Sequence, residues 1–361
     1  MSTFYVDESG FTGEDLLSSN QPIFAHATND FGQDEAQEII AAVFDSVNVK
    51  ELKYARLQRN ARHRERVVEL VRTVASDPTR AATWIAHKEF ALVTFLVDWW
   101  LEPLAYRNGL NLYKDGANLG MANMLFFCLE GFWSRSFRRK LLTLFQRMVR
   151  TRNQKAFNQF EKFVRTEKAK VDADRAEILR YIWPSFALLG MEHVRGLPDR
   201  VLDVALPGLI FLGHKWRERH DGLWEVVHDQ STNMAKQKWL WDAFSSPDIA
   251  SARFENPSGA QQFPMNVAGT RFADSVYEQQ LQICDVLAGA TTAYLRNSHN
   301  ESEDKQFAES LADAGIDKLI VGGLWPSKEV APEELGMKGW DGSVAIDWIT
   351  DQLAGKDVKS S

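Results

Sequence analysis

The stretch Phe4-Tyr5-Val6-Asp7-Glu8-Ser9-Gly10 decides how the chain is read. Three apolar, β-prone residues run directly into two acids and a turn pair, which predicts a short strand ending in carboxylates. Thr12-Gly13-Glu14-Asp15 continues the loop, and Gln21 to Ala27 reads as a second strand, so a hairpin follows from Phe4 onward. The pattern recurs further along. Leu223 to His228 is strand-like and ends at Asp229, while Tyr277 to Arg296 reads as a long helix that carries Asp285 inside an otherwise apolar run. An ionised Asp on such a run is costly to bury unless a cation or donor lies beside it. Acids from a first strand, a central strand and a late helix can converge on divalent metal. Carboxylate oxygens suit Mg²⁺ or Mn²⁺. Two such ions ~3.5–4 Å apart would clamp the attacking and leaving oxygens of phosphodiester hydrolysis. Each acid also has a plainer use. Asp7 can cap the Ser9-Gly10 turn, Asp229 can cap the following helix with Ser231 or Thr232, and Asp285 can pair with a core arginine.

Outward from these points, the two ends read as mixed α/β and the middle as helical. Asp34 to Val47 and Arg56 to Ala75 have helical spacing, and Ala81 to Val93 is strand-like. From Thr94 to Gly196 no convincing strand is found. Met121 to Trp133, Leu141 to Val149 and the Phe157/Phe160/Val164 set are helical in pattern, which predicts an inserted helical module. Val201 to Arg219 and Met234 to Phe244 read as helices and Gln262 to Val267 as a strand. The polar tail from Lys356 is expected to fray. Trp99-Trp100 and Phe157/Phe160/Phe163 suit a core or an interface better than base stacking.

The chain has 361 residues, 45% apolar and 25% charged, with a net charge of −7, which excludes a disordered chain, a collagen and a coiled-coil rod. Cys128 and Cys284 lie far apart, which fits a reduced compartment and excludes a disulfide scaffold or a Cys-based zinc site. The start lacks a basic leader, and the most apolar stretches carry charges and prolines, so a cytoplasmic protein without a membrane span is expected. Charge is uneven. Lys50 to Arg72 holds eight Lys/Arg against three Glu, and Arg135 to Arg180 holds fourteen Lys/Arg against five acids. These segments are either solvated helix faces or a phosphate-tracking surface. The spacing of Arg56, Arg59, Arg62 and Arg66 predicts one helix face.

Tyr5-Val6-Asp7-Glu8-Ser9-Gly10, His228-Asp229-Gln230-Ser231 and Leu281-Gln282-Ile283-Cys284-Asp285-Val286-Leu287-Ala288-Gly289-Ala290, with Asp274-Ser275 ahead of it, resemble a large prokaryotic family known as a domain of unknown function. Its members open with Y-x-D-E-S-G and close with L-Q-x-A-D-x-x-A-G-A, and Glu51-Leu52-Lys53 resembles its E-x-K element. Cys284 stands where an alanine is usual. That family is similar to ribonuclease-H-like nucleases, transposases and integrases. The resemblance covers roughly residues 1–93 and 200–300. It implies an α/β ribonuclease-H-like mixed sheet flanked by helices, with residues 1–93 and 201–361 forming the core and 94–200 a large all-helical insertion. It also implies that Asp7, Asp229 and Asp285 hold the metal, with Glu8 a further ligand or outer acceptor, and that Lys53 holds a carboxylate or a scissile phosphate. His228, by strand alternation, should face the other side of the sheet from Asp229.

The expected function is metal-dependent hydrolysis of nucleic acid, DNA or RNA, fitting prokaryotic defence or mobile-element biology. Lys53, Arg56, Arg59, Arg62, Arg66, Arg138 and Arg139 are the candidate backbone contacts, and the aromatic insertion is a candidate homodimer surface. A rival reading is a non-catalytic module that binds nucleic acid or protein on the same fold, and a third is an effector silent until a partner opens it. Other chemistries fail on spacing. Position 9 is Ser where a haloacid-type phosphatase needs a second Asp, and neither a P-loop nor HExxH occurs. Gly208 and Gly213 follow no strand, and Ser231 lacks a G-x-S-x-G elbow.

Overall fold

Strand β1 (Ser2–Ser9) alternates its side chains between two helical layers, so one strand feeds two cores. The computed structural model describes residues 2–45, 51–230, 232–256, 259–297, 304–343 and Trp348. The predicted helix end at Val47, the candidate cap Ser231 and the tail from Lys356 lie outside these residues.

β1 pairs antiparallel with β2 (Ile23–Asn29), which pairs antiparallel with β3 (Ala81–His87). On its other side β1 runs parallel to β4 (Trp224–Asp229), through the register Phe4↔Val226 and Val6↔His228. β5 (Ala252–Asn256) and β6 (Gly259–Phe263) form a separate two-stranded hairpin. β7 (Val267–Ala273) lies parallel to β4, and β8 (Ile320–Leu324) lies parallel to β3. The six-stranded mixed sheet has the order β7-β4-β1-β2-β3-β8, with β2 alone running against the rest. Gly10 ends β1 at φ +77°, and a Cβ there would fall 2.1 Å from the Ile23 carbonyl oxygen, so the hairpin admits no side chain at that point.

One face of the sheet packs on the Gln279–Asn297 helix, with the Gln33–Phe44 and Ala61–Ala75 helices around it. The long helix is apolar almost all round because it lies between the sheet and those helices. Asn29 Nδ2 donates to the Gln280 carbonyl at 2.9 Å and reaches Cys284 Sγ at 3.0 Å, which fixes the helix on the sheet. The opposite face packs on the Ala205–Arg219 helix, where Phe4 stacks on Trp216 with ring centroids 4.2 Å apart and Trp216 Nε1 donates to Thr28 Oγ1.

Between β3 and β4 the chain is helical from Lys88 to Arg219, with no strand among the described residues, as the sequence predicts from Thr94 onward. The hydrophobic stripe of the Arg135–Thr151 helix (Leu141, Leu142, Phe145, Met148) joins the same core as Phe4 and Val6. Trp100 and Phe160 are buried, and Trp100 meets Phe186 edge-on at 5.1 Å, so they serve as core. No helix among the described residues is long and apolar enough to cross a membrane.

Three boundaries differ from the sequence reading. The predicted helix Arg56 to Ala75 is two helices, Tyr54–Leu57 and Ala61–Ala75, because Asn60 leaves helical φ/ψ and caps the second by accepting from Arg62 N. Arg56 and Arg59 therefore do not share a helix face with Arg62 and Arg66. The strand predicted over Ala81 to Val93 stops at His87, whose ring accepts from Phe90 N and starts a helix at Lys88. The strand predicted over Gln262 to Val267 straddles the connection between β6 and β7, where Pro264 offers no N–H to a ladder.

Candidate functional site

The β1–β4 register determines where the acids fall. Because Val6 pairs with His228, the next residues, Asp7 and Asp229, stand level on parallel neighbouring strands. Strands in a sheet lie about 4.8 Å apart, and residues at equivalent register positions share a face. That face carries Tyr5 and Val227 against Leu281 of the long helix, one turn before Asp285. Asp7, Asp229 and Asp285 thus come from three distant segments to one side of the sheet, at the carboxyl ends of β1 and β4. Two carboxylates on adjacent strands repel, so the arrangement needs positive charge or donors.

Both are present. Asp7 Oδ1 accepts the Glu8 N–H at 2.7 Å, and Asp229 Oδ1 accepts the Gln230 N–H at 2.9 Å. Asp285 Oδ2 accepts the main-chain N–H of Tyr54 at 2.5 Å, so its partner is a helix-start amide where a core arginine was one option. The Lys53 ammonium lies 3.2 Å from Asp229 Oδ2 and 3.4 Å from Glu51 Oε1, and donates to Ser275 Oγ at 2.9 Å. Lys53 thus holds a carboxylate. Glu51, Ser275 and Gln282 are site residues that were not singled out as such in the sequence, although all three lie in the quoted motifs. Ser275 Oγ donates to Glu51 at 2.6 Å, and Gln282 takes the Leu52 N–H while donating to the Ser275 carbonyl. Gln282 therefore ties the Glu51-Leu52-Lys53 segment to the long helix.

Electrostatics follows from this crowding. Burial, and then the charges of Asp285, Asp229 and Glu8, push the Asp7 carboxyl well above the usual carboxylate range, against the opposing pull of Lys53. Burial raises Asp285 as well, against the Tyr54 N–H bond and Lys53. Burial works against the Lys53 ammonium, but Asp285, Asp229 and Asp7 outweigh it and raise its pKa. Among the described residues one ammonium, that of Lys53, faces several carboxylates, and the acids around it offer oxygen donors. That donor set fits a hard divalent cation. Among the described residues the oxygens of Asp7, Asp229 and Asp285 are not all within 4.8 Å of one another.

The other sequence-predicted site residues divide. Glu8 is not with the aspartates. It points to the opposite face, where its Oε2 lies 3.3 Å from His228 Nε2, and His228 faces away from Asp229 as alternation predicts. Arg56, Arg59 and Arg62 are exposed, while Arg66 is half-buried, 3.5 Å from Asp45. Arg138 is held by Glu89 and Glu130 and lies over the Phe126 ring, and Arg139 donates to the Leu17 carbonyl. These two arginines bind parts of their own fold, which the bare count of positive charge could not reveal.

Compared with family models, with curated proteins and with solved structures, the chain matches none.

Proposed function

We propose that the protein is a metal-dependent nuclease built on a ribonuclease-H-like sheet, with residues 94–200 as a helical insertion. The reading rests on one observation: Asp7 and Asp229 at the carboxyl ends of parallel strands and Asp285 on the long helix lie on one side of the sheet, near enough for the charges of Asp285 and Asp229 to bear on Asp7, with Lys53 as their counter-charge. The six-stranded mixed sheet of order β7-β4-β1-β2-β3-β8, with helices packed on both faces, supports the fold assignment. The fold reading itself comes from the motif resemblance to the prokaryotic Y-x-D-E-S-G family, which rests on the same segments.

Asp7, Asp229 and Asp285 would hold Mg²⁺ or Mn²⁺, which when bound supplies Lewis-acid activation of water and of the scissile phosphate. The protein's own contributions are positional. Tyr54 N–H orients Asp285, the β1–β4 register sets Asp7 beside Asp229, and Gln282 holds the Glu51-Lys53 segment over them. Lys53 opposes the rise that burial and crowding impose on Asp7 and Asp285, and offers an ammonium to an approaching phosphate. Arg56 and Arg59, exposed a few residues on, would follow the backbone of a nucleic acid.

The test is a panel of single- and double-stranded DNA and RNA with Mn²⁺ or Mg²⁺, comparing wild type with Asp7→Asn and Asp285→Asn. Cleavage that needs metal and falls at least a hundredfold in both variants supports the reading. Cleavage unchanged by the substitutions, or a folded wild type that binds nucleic acid and cuts none of the panel, removes it in favour of a binding module.

A further inference from the structure

The sheet face opposite the aspartates carries a second group of side chains. Glu8 follows Asp7 on β1 and projects the other way, His26 lies opposite Glu8 on β2, and His228 precedes Asp229 on β4. One ligand atom from each lies within 4.8 Å of the other two. Glu8 Oε2 is 3.3 Å from His228 Nε2, and the two imidazole centroids are 6.1 Å apart. The histidines are 0% and 1% exposed.

The hydrogen bonds around this group assign its chemistry. His26 Nε2 lies 3.1 Å from the Ala205 carbonyl oxygen, and His228 Nδ1 lies 2.8 Å from the Asp229 carbonyl oxygen. A carbonyl can only accept, so each ring carries its proton on that nitrogen. In the neutral rings this leaves a lone pair on His26 Nδ1 and on His228 Nε2. Those two atoms and Glu8 Oε2 are buried and have no hydrogen-bond partner. Among the described residues these three acceptors meet no donor unless His228 takes a second proton and pairs with Glu8 across the 3.3 Å gap, so the group is satisfied only by a cation, either that proton or a metal ion. An imidazole whose second nitrogen is fixed by a carbonyl is also the usual state of a metal-ligating histidine.

We propose that Glu8, His26 and His228 form a binding site for one divalent transition-metal ion of the zinc class. Two imidazoles and one carboxylate suit zinc and its neighbours and do not suit Mg²⁺. Metal bonds of about 2.0–2.2 Å in a tetrahedral site put donors roughly 3.3 Å apart. The Glu8–His228 pair has that spacing already, and small side-chain rotations bring in His26. Glu8 keeps 14% of its side chain exposed, which gives the ion an approach. Bound there, the ion staples β1, β2 and β4 at the level where Asp7 and Asp229 leave two of those strands on the other face. The proposal does not depend on the nuclease reading.

The experiment titrates chelator-treated full-length protein with Co²⁺ and follows the visible ligand-field bands, with displacement by Zn²⁺ and a challenge by Mg²⁺. One equivalent of Co²⁺ with bands of low-coordinate geometry, displaced by Zn²⁺ and indifferent to Mg²⁺, is expected. Glu8→Gln should weaken binding at least tenfold and His26→Asn or His228→Asn should abolish it, whereas Asp285→Asn should leave it in place. Glu8→Gln is nearly isosteric and, with circular dichroism as a fold check, separates lost binding from lost folding. A folded wild type that takes up neither Co²⁺ nor Zn²⁺ overturns the proposal, as does uptake untouched by Glu8→Gln and abolished by Asp285→Asn.

Discussion

Gly289 stands one helical turn beyond Asp285, and both face the same residue: Asp285 takes the Tyr54 N–H and Gly289 receives the Tyr54 ring. A Cβ at Gly289 would lie 2.1 Å from Tyr54 Cγ, 2.3 Å from Cδ1 and 2.6 Å from Cβ. Carbon atoms pack at about 3.5–4.0 Å, so Gly289→Ala requires the ring to retreat by roughly 1.4 Å or more. Tyr54 is buried in the core between the sheet and the helices above it and has little room to do so. A shift of that size along the Tyr54 N–H···Oδ2 bond, now 2.5 Å, takes it beyond hydrogen-bonding range. Overpacking of this kind costs about 1–3 kcal/mol, and loss of an amide bond to a charged acceptor about 1.5–3. Alanine recovers about 1 kcal/mol of helix propensity over glycine. The net expectation is destabilisation of about 1.5–5 kcal/mol, which in a chain of this length lowers Tm by roughly 2–7 °C. The cleavage proposed above should fall more steeply than stability, because Asp285 loses the amide that orients it. Thermal unfolding followed by circular dichroism measures the first effect and the cleavage panel the second. The decisive control is a Tyr54→Gly background, which removes the ring and the Cβ together and in which Gly289→Ala should become neutral or stabilising. If Gly289→Ala raises Tm in the wild type, as helix propensity alone requires, or costs the same in both backgrounds, the steric coupling is wrong.

Other outcomes follow from the same geometry. The raised carboxyl of Asp7 means that the folded state holds its proton more tightly than the unfolded chain, so metal-free stability should fall as pH rises from about 3.9 toward the folded pKa. Asp7→Asn should flatten that part of the profile and raise Tm at pH 7 in chelator, read by thermal melts across pH; an unchanged profile contradicts the electrostatic assignment. Lys53→Ala removes a partly exposed cation from Asp229, Glu51 and Ser275, and should cost about 1–2 kcal/mol. Added Mg²⁺ should restore more stability to this variant than to wild type, as thermal shift can measure. Arg56→Ala and Arg59→Ala should each lower the salt dependence of nucleic-acid binding by roughly one counterion, whereas Arg138→Ala should lower stability and leave that slope alone. Fluorescence anisotropy at several salt concentrations separates the two classes, and an equal slope change for Arg138 would reverse their assignment.

Much of the fold was legible because its signals are local. Phe4-Tyr5-Val6 and Val226-Val227 read as strands from β-prone residues stopped by acids, and the stretch from Thr94 to Gly196 reads as helical from its periodicity. Alternation along β4 placed His228 and Asp229 on opposite faces before any pairing was known. The errors lie where a local pattern is interrupted by a single polar residue. Asn60 and His87 each cap a helix in the middle of what reads as one element, and each cap depends on a side-chain acceptor meeting a main-chain N–H. Arg138 and Arg139 looked like a phosphate surface because charge is visible in sequence, while Glu89, Glu130 and the Leu17 carbonyl that engage them are distant in it.

By itself the sequence determined which residues could carry chemistry: acids at the ends of two strands and one inside an apolar helix, each too costly to bury alone. Only the tertiary structure decided which of them meet. The β1–β4 register aligned Asp7 with Asp229, the helix docking brought Asp285 and Tyr54 to the same place, and the same alternation took Glu8 away to His26 and His228. The backbone period of a strand is set by its own residues, whereas the register between strands is set by packing on both faces at once.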